Sequence, residues 1–528
     1  MKVLFFVREL PYVQRIYAPL LDELIDRGHT VHLAFTKKTR WDRIERGLAG
    51  IEREGLTFGY APHRRHADGW RRVAWLVRSV ADLARYAHPR YDSAPRLRKR
   101  VTEKVLQRIE TGPYLEPIGR SLALHIGRRL ASATDAAYSA RVIRSAARLE
   151  QAVPTSPEID AFIRTHAPDA VMVTPVVKYG SDEVEYLKSA RALGVPAATA
   201  VASWDNLTNK GLLKFDPERV FVWNEAQRRE AIDLHGIEPD HVVATGGQLF
   251  DKWFERRPSR SRDEFMTEVG LAPDEPYVLY LCSSPFVVRK PQAEIDFVLR
   301  LLQGMREGED ERLKGAGLLV RPYPRGSQWR KVDLASHGNA VWWPKKHAYA
   351  TTEQAIADFY DSIAHSAAVV GINTTAMIEA AIVGKPVLTV LEPKFAQEGT
   401  LHFHHLLEEN GGFLHTASSL EEHLGQLARV LDEGERGAER RRRFVEAFVR
   451  PRGLDRPATP IFADEVEHLA SVQVTPLRHA PLLRALLTVE AAACTAMIVA
   501  TPLVRPLRLR LVGAARSRGL VAPPTRVR

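Results

Sequence analysis

Cysteine is almost missing from this sequence: Cys282 and Cys494 are the only two in 528 residues, and they lie far apart. That excludes a disulfide framework and a cysteine-based zinc site, and it fits a reducing compartment. A signal-peptide core is also lacking, because the apolar opening at 3–7 meets Arg8 and Glu9 too soon to form one. The opening is expected to be a buried strand of a cytoplasmic protein. With 45% hydrophobic and 26% charged residues, the chain belongs neither to the disordered nor to the fully membrane-embedded classes. No signature of a DNA- or RNA-binding module occurs, so nucleic acid is not an expected partner.

Acidic residues are scarce in two blocks. Residues 64–150 carry 19 Lys/Arg against 8 Asp/Glu, and 476–528 carry nine Arg against Glu490 alone, in a chain whose net charge is +11. The rest of the chain is therefore net acidic, a body with two basic attachments. Aliphatic runs accompany both blocks, which points to an anionic membrane surface. Trp70, Arg71, Arg72, Trp75 and Arg78 form a basic amphipathic stretch suited to a headgroup layer. The apolar run 485–504 approaches the ~20 residues that span a bilayer. Spanning would place Arg505, Arg508 and Arg510 on the far side, so an in-plane or re-entrant helix is expected. The expected location is peripheral or monotopic, at the inner face of the cell membrane.

Elsewhere apolar runs of strand length alternate with helical periodicity. Runs at 3–7, 30–35, 169–174, 195–201, 220–223 and 241–245 predict one parallel sheet. Runs at 277–282, 317–321, 367–371 and 386–391 predict a second. The predicted class is α/β: two Rossmann-like domains facing a cleft, with a helical insertion in the first and a basic, apolar C-terminal tail. The expected boundaries are 1–250 for an acceptor domain with an insertion at 64–151, 263–455 for a donor-nucleotide domain, 456–475 for a return helix and 476–528 for the tail.

The most informative segment is Gly371-Ile372-Asn373-Thr374-Thr375, where an apolar strand ends and a helix is predicted to open, capped by Asn373 or Thr374. Amides at such a turn can hold a diphosphate, and Glu379 on the following turns can accept hydrogen bonds from a ribose. Gly371, Thr374, Thr375, Glu379, Gly384 and Pro386 resemble the donor signature of GT-B glycosyltransferases and of the related non-hydrolysing nucleotide-sugar 2-epimerases. The resemblance covers roughly 1–470 apart from the insertion. A second segment, Val320-Arg321-Pro322-Tyr323-Pro324-Arg325, resembles a strand end of CDP-glycerol glycerophosphotransferases, with Tyr323 where that family has His. It implies that Arg321 contacts a phosphate. Ser283 and Ser284, after the first strand of this domain, occupy a place where such relatives offer further phosphate ligands.

In the first domain, Ser203-Trp204-Asp205-Asn206 follows a strand, where open α/β sheets place ligands. It is similar to a segment of surface-carbohydrate transferases. Asp205 is a candidate base toward an acceptor hydroxyl, and Trp204, Asn206 and Arg8 are candidate acceptor contacts. Arg8 and Glu9, just beyond the first strand, occupy a comparable position, and the resemblance to Kdo-type transferases, where a carboxylate in that region is the base, implies that Glu9 competes with Asp205. Gly246 and Gly247 resemble the interdomain turn of these families, and Glu392-Pro393-Lys394 is a weaker candidate near the donor. His402, His404 and His405 lack a well-spaced carboxylate or cysteine partner, so no metal is expected, and no cofactor beyond the nucleotide sugar as substrate.

The expected activity is transfer of a sugar from a nucleotide-diphosphate donor to a lipid-linked or polysaccharide acceptor at the membrane. A CDP-polyol phosphotransferase, a nucleotide-sugar epimerase and a non-catalytic membrane scaffold are the alternatives.

Overall fold

The structure is a computed structural model that describes residues 1–492 apart from 38–39, 52, 63–68, 112–116, 134, 286, 289, 325–326, 346–351, 393–394, 396–399, 434–436, 478–479 and 490. Cys494, Arg325, Pro393, Lys394 and most of the apolar run 485–504 lie outside the described residues.

Seven strands form the first sheet: β1 (Lys2–Val7), β2 (Thr30–Phe35), β3 (Leu56–Tyr60), β4 (Ala170–Thr174), β5 (Ala197–Ala200), β6 (Arg219–Val222) and β7 (Val242–Ala244). Six form the second: β8 (Tyr277–Leu281), β9 (Gly317–Arg321), β10 (Ala340–Trp342), β11 (Ala368–Gly371), β12 (Val387–Val390) and β13 (His415–Ala417). The first sheet runs β3-β2-β1-β4-β5-β6-β7 and the second β10-β9-β8-β11-β12-β13. Every pairing is parallel. Each order is that of a doubly wound nucleotide-binding sheet, reversing direction between its first and fourth strands. Two such domains in tandem make the GT-B arrangement.

The central strands are buried along their length, as their unbroken apolar runs require: β4 and β8 have no exposed position. Three strands have no counterpart among the apolar runs of the sequence, namely β3, β10 and β13. All three are sheet edges whose residues are partly exposed. An edge strand covered on one side needs no continuous apolar run.

Five α-helices lie between β3 and β4 among the described residues: Trp70–Tyr86, Pro95–Thr111, Pro117–Ser132 and Ala136–Ala152 of the insertion, and Pro157–His166, which leads back to the sheet. The first of them does not lie free for a headgroup layer. Val73, Ala74, Val77, Arg78, Asp82 and Arg85 are all buried. Arg78 bonds in two places to Glu150 (2.7 and 2.8 Å) and also to Glu185, while Lys188 shares Glu150 at 2.9 Å. Asp82 accepts the amides of Gly180 (2.7 Å) and Leu212 (2.8 Å) and pairs with Lys214 at 2.9 Å. These charges are compensated inside the protein, so this stretch of the basic block is structural.

The chain leaves the first sheet through Gly246 and Gly247 and returns along 449–458, and the two crossings touch. Gly247 N donates to Val449 O at 2.8 Å. Gly246 has φ +97°, and a Cβ there would sit 2.6 Å from Ala458 Cβ. Glycine is required on both counts. Gly246→Ala is expected to cost about 1–3 kcal/mol, read as a lower urea midpoint. The return helix Ala458–Leu469 then packs Phe462, Ala463 and Val466 against Leu20, Leu21 and Leu24 of the helix Ala18–Asp26. Beyond it, Arg484 Nε donates to Ala152 O at 3.1 Å, which lays the following turn on the insertion. Leu482, Leu486 and Val489 on that turn are 82%, 71% and 74% exposed, an apolar row facing solvent. Among the described residues no helix is long and apolar enough to cross a membrane.

Candidate functional site at two switch points

A doubly wound sheet leaves a crevice at the carboxyl ends of its strands where the order reverses. In the second sheet that crevice lies between β8 and β11, and the loops that follow carry Ser283, Ser284 and Asn373 to Thr375. Ser283 and Asn373 are buried and build the turn. Ser283 N donates to Glu294 (2.8 Å), Asn373 N to Ser283 Oγ (3.4 Å), and Asn373 Nδ2 to Thr400 (3.0 Å). Ser284, Thr374 and Thr375 are partly exposed.

The helix begins at Ala376, later than the sequence suggests, and runs to Ile382. The N-cap is Thr375, one or two residues later than expected, and its side chain makes no capping bond; Thr374 Oγ1, one position before it, accepts the Ala376 amide (3.4 Å). The amides of Thr374 and Thr375 donate to nothing among the described residues. Gly371 closes β11 with a φ that any residue adopts, and a Cβ there would meet only ordinary contacts at 3.5 Å. Its presence is not a steric requirement of the fold.

Arg321 ends β9, the neighbour of β8. Its Nη1 donates to Ser362 Oγ (2.7 Å) and Asp358 O (3.2 Å), and the guanidinium lies against the rings of Phe359 (4.8 Å) and Trp343 (5.3 Å). It has no carboxylate ion pair among the described residues, and burial lowers its pKa to about 10. Glu379 is pushed up to about 7 by burial, against the attraction of Arg15 and Arg321. Arg15 belongs to the first domain, in the π-helical turn Val13–Tyr17, so a cation from across the interface reaches this carboxyl. Periodicity does not reveal a π-turn, and Arg15 carries no sequence signal. Glu392 is paired with Arg300 at 2.7 Å and is turned to that use.

Glu294 supports the floor of the crevice. It is 4% exposed, and burial pushes its carboxyl up to about 7 against the hydrogen bonds from Ser283 and Tyr280. Its folded pKa lies above the ordinary 4.5, so its full contribution to stability is present below that value and is lost as pH rises through about 7. Glu294→Gln is therefore expected to be more stable than the wild type at pH 8.5, by on the order of 2–3 kcal/mol. The difference should vanish near pH 4.5, as read from thermal midpoints across pH.

In the first sheet the crevice lies between β1 and β4. Arg8 Nη1 donates to Glu183 (3.0 Å), and Glu9 pairs with Lys37 (3.0 Å). Asp205, after β5, pairs with Lys210 at 2.9 Å. Burial opposes its ionisation, but Lys210 and His402 outweigh that and hold its carboxyl well below the usual range. Asn206 is buried, bonding to Ala202 N (3.2 Å) and Asp205 (3.2 Å), and it shapes the loop from within. Trp204 is also buried, at 3% exposure, with its ring edge-on to His402 at 4.4 Å. Neither side chain is presented for acceptor contact in this conformation.

Trp204 joins the two crevices instead. Its Nε1 donates to Thr375 Oγ1 at 3.1 Å, linking the loop after β5 to the loop after β11. Asn209 bonds to His402 (2.6 Å), and His405 pairs with Glu230 (2.5 Å), both across the interface. His402 and His405 are thus interdomain ties. Among the described residues no group of three or more His, Cys, Asp or Glu is placed to hold a metal. The insertion fixes the same loop from behind: Arg85 donates to the carbonyls of Leu207, Lys210 (3.0 Å) and Gly211 (3.2 Å), and Tyr86 to that of Lys210 (2.8 Å).

No family model matches the sequence, and no curated protein matches it. Solved structures do resemble the chain. The UDP-GlcNAc 2-epimerase from Methanocaldococcus jannaschii matches at 10% identity over 89% of this chain and all (100%) of that one, with a TM-score of 0.49. The UDP-GlcNAc 2-epimerase from Neisseria meningitidis, bound to UDP-GlcNAc, matches at 11% over 88% and 100%, with a TM-score of 0.47. A glycosyltransferase from Rickettsia africae matches at 10% over 89% and 98%, with a TM-score of 0.48. Similarity this distant says nothing about the chemistry of the site.

Proposed function

We propose that this protein is an enzyme that transfers a sugar from a nucleotide-diphosphate donor to an acceptor held by its first domain. The observation that carries the reading is the pair of unpartnered amides at Thr374 and Thr375 at the second switch point, in a domain where Arg321 has no carboxylate of its own. A diphosphate answers both needs, because amides at a strand-to-helix turn and a guanidinium each bind phosphate oxygens. Glu379 would take the ribose hydroxyls.

In the transfer, the acceptor oxygen bonds to the anomeric carbon, its proton passes to a carboxylate, and the bond from that carbon to the diphosphate breaks. The electron pair leaves with the nucleoside diphosphate, whose charge the amides and Arg321 stabilise. Asp205 is a weak base because Lys210 and His402 favour its ionised form. We assign the proton to Glu9, which follows β1 at the first switch point, with Asp205 holding Lys210 in place. The exposed row Leu482, Leu486 and Val489, followed by the basic tail, supports an acceptor presented at an anionic membrane on the cytoplasmic side.

The test is incubation with UDP-, CDP-, GDP- and TDP-sugars. Acceptor-dependent release of the nucleoside diphosphate is the expected result. Conversion of the sugar to its epimer without any acceptor would assign the cleft to an epimerase, and transfer from a CDP-polyol to a polyol-phosphate chemistry. Turnover of none of them would sink the reading.

A further inference from the structure

The crevice at the first switch point holds one cation more than its carboxylates compensate. Arg8, Lys37, Lys178 and Lys210 face Glu9, Glu183 and Asp205. Glu183 is used by Arg8 (3.0 Å), Glu9 by Lys37 (3.0 Å) and Asp205 by Lys210 (2.9 Å). Lys178, in the loop after β4, has no ion pair and no side-chain hydrogen bond among the described residues. It is half-buried and within electrostatic reach of Arg8, Glu183, Glu9 and Lys210. Arg8 Nε is buried without a hydrogen-bond partner, 3.5 Å from Glu9. Half-burying a cation with which no carboxylate pairs is costly. The backbone at Lys178 is fixed from two sides: Gly211 N donates to Val177 O at 2.7 Å, and Gly180 N to Asp82 of the insertion at 2.7 Å.

We propose that this crevice is a second anion subsite, in which Lys178 and Arg8 bind a phosphate carried by the acceptor. The proposal rests on the reading of the protein as a transferase, and it narrows the acceptor to a phosphorylated molecule. The two crevices then divide the work: Arg321 and the Thr374–Thr375 amides take the donor, and Lys178 and Arg8 take the acceptor. The Asn209–His402 and Glu230–His405 contacts tie the two halves together. Lys210, paired with Asp205, borders both the subsite and the interface. The phosphate can belong to a lipid headgroup or to a soluble monoester.

The test uses the full chain, wild type and Lys178→Gln, titrated by calorimetry with inorganic phosphate and with farnesyl phosphate in detergent. Each titration is run with and without saturating UDP. Expected is phosphate binding that persists under UDP and weakens at least about tenfold in K178Q, with UDP affinity unchanged and the thermal midpoint equal or higher. Lys178→Arg, which keeps the charge, should retain binding, and it stands in should K178Q fail to fold. Farnesyl phosphate binding more than about tenfold tighter than inorganic phosphate assigns a lipid source, and equal affinities a soluble one.

The proposal is overturned if wild type binds neither probe, if K178Q binds both as the wild type does, or if K178Q weakens UDP as much as phosphate. Failure of the wild type to bind UDP bears instead on the donor site, because the comparison of wild type with K178Q remains readable without UDP.

Discussion

Replacing Asp251 by alanine is expected to lower stability by about 3–5 kcal/mol, the scale for removing one partner of a buried ion pair. Asp251 is 6% exposed and sits where the chain crosses from the first domain and comes back. One oxygen takes Arg450 Nη2 (2.9 Å) and the amide of Ala458 (3.0 Å), and the other takes the amide and hydroxyl of Thr459 (both 2.7 Å). It therefore neutralises a buried guanidinium and caps the return helix at once. Its loss leaves Arg450 unpaired and two helix amides unsatisfied. Chemical denaturation should show an early transition as the return helix leaves the helix Ala18–Asp26. Asp251→Asn, which keeps the shape and part of the hydrogen bonding, should lose less.

Arg321→Ala is expected to weaken UDP binding about 10- to 100-fold, because a charge-assisted contact to phosphate contributes about 1.5–3 kcal/mol. The thermal midpoint should fall modestly at most, since the guanidinium has no carboxylate ion pair among the described residues and what is lost are its contacts with Ser362, Asp358 O, Phe359 and Trp343. This separates a binding role from a structural one: a residue that served only to tie β9 to the helix Glu353–Ala364 would lower the thermal midpoint and leave UDP affinity intact. Arg321→Lys should fall between, as an ammonium keeps the charge without the fork of donors. Calorimetric titration of UDP into the three proteins, with a thermal scan of each, reads both quantities.

Much of the architecture is legible from the sequence because parallel strands covered on both faces must be continuous apolar runs, as β1, β4 and β8 are. The edge strands β3, β10 and β13 escape because one side needs no apolar partner. In the site, the residues just beyond strands are found where the topology requires: Arg8 and Glu9 after β1, Ser283 after β8, Thr374 and Thr375 after β11. What the sequence conceals is which side chains turn inward. Trp204 reads as a stacking platform, yet an indole with one donor and a large apolar face is at least as well suited to an interface, and here it bonds to Thr375. Arg78 lies in a stretch that reads as lipid-facing, yet it finds its anions 72 and 107 positions further along the chain, and Arg85 on the same helix finds a carbonyl 126 positions on, all on elements that only folding brings near. Arg15 and Lys178 carry no motif at all, and their importance is a matter of charge balance in three dimensions.

A crystal structure of the full chain with UDP tests the central claim most directly. The account predicts diphosphate oxygens on the amides of Thr374 and Thr375, Arg321 Nη2 turned toward them, and the Trp204 indole released from Thr375. A folded protein whose crystals take up no UDP at that crevice, with the Trp204–Thr375 hydrogen bond intact, would contradict it.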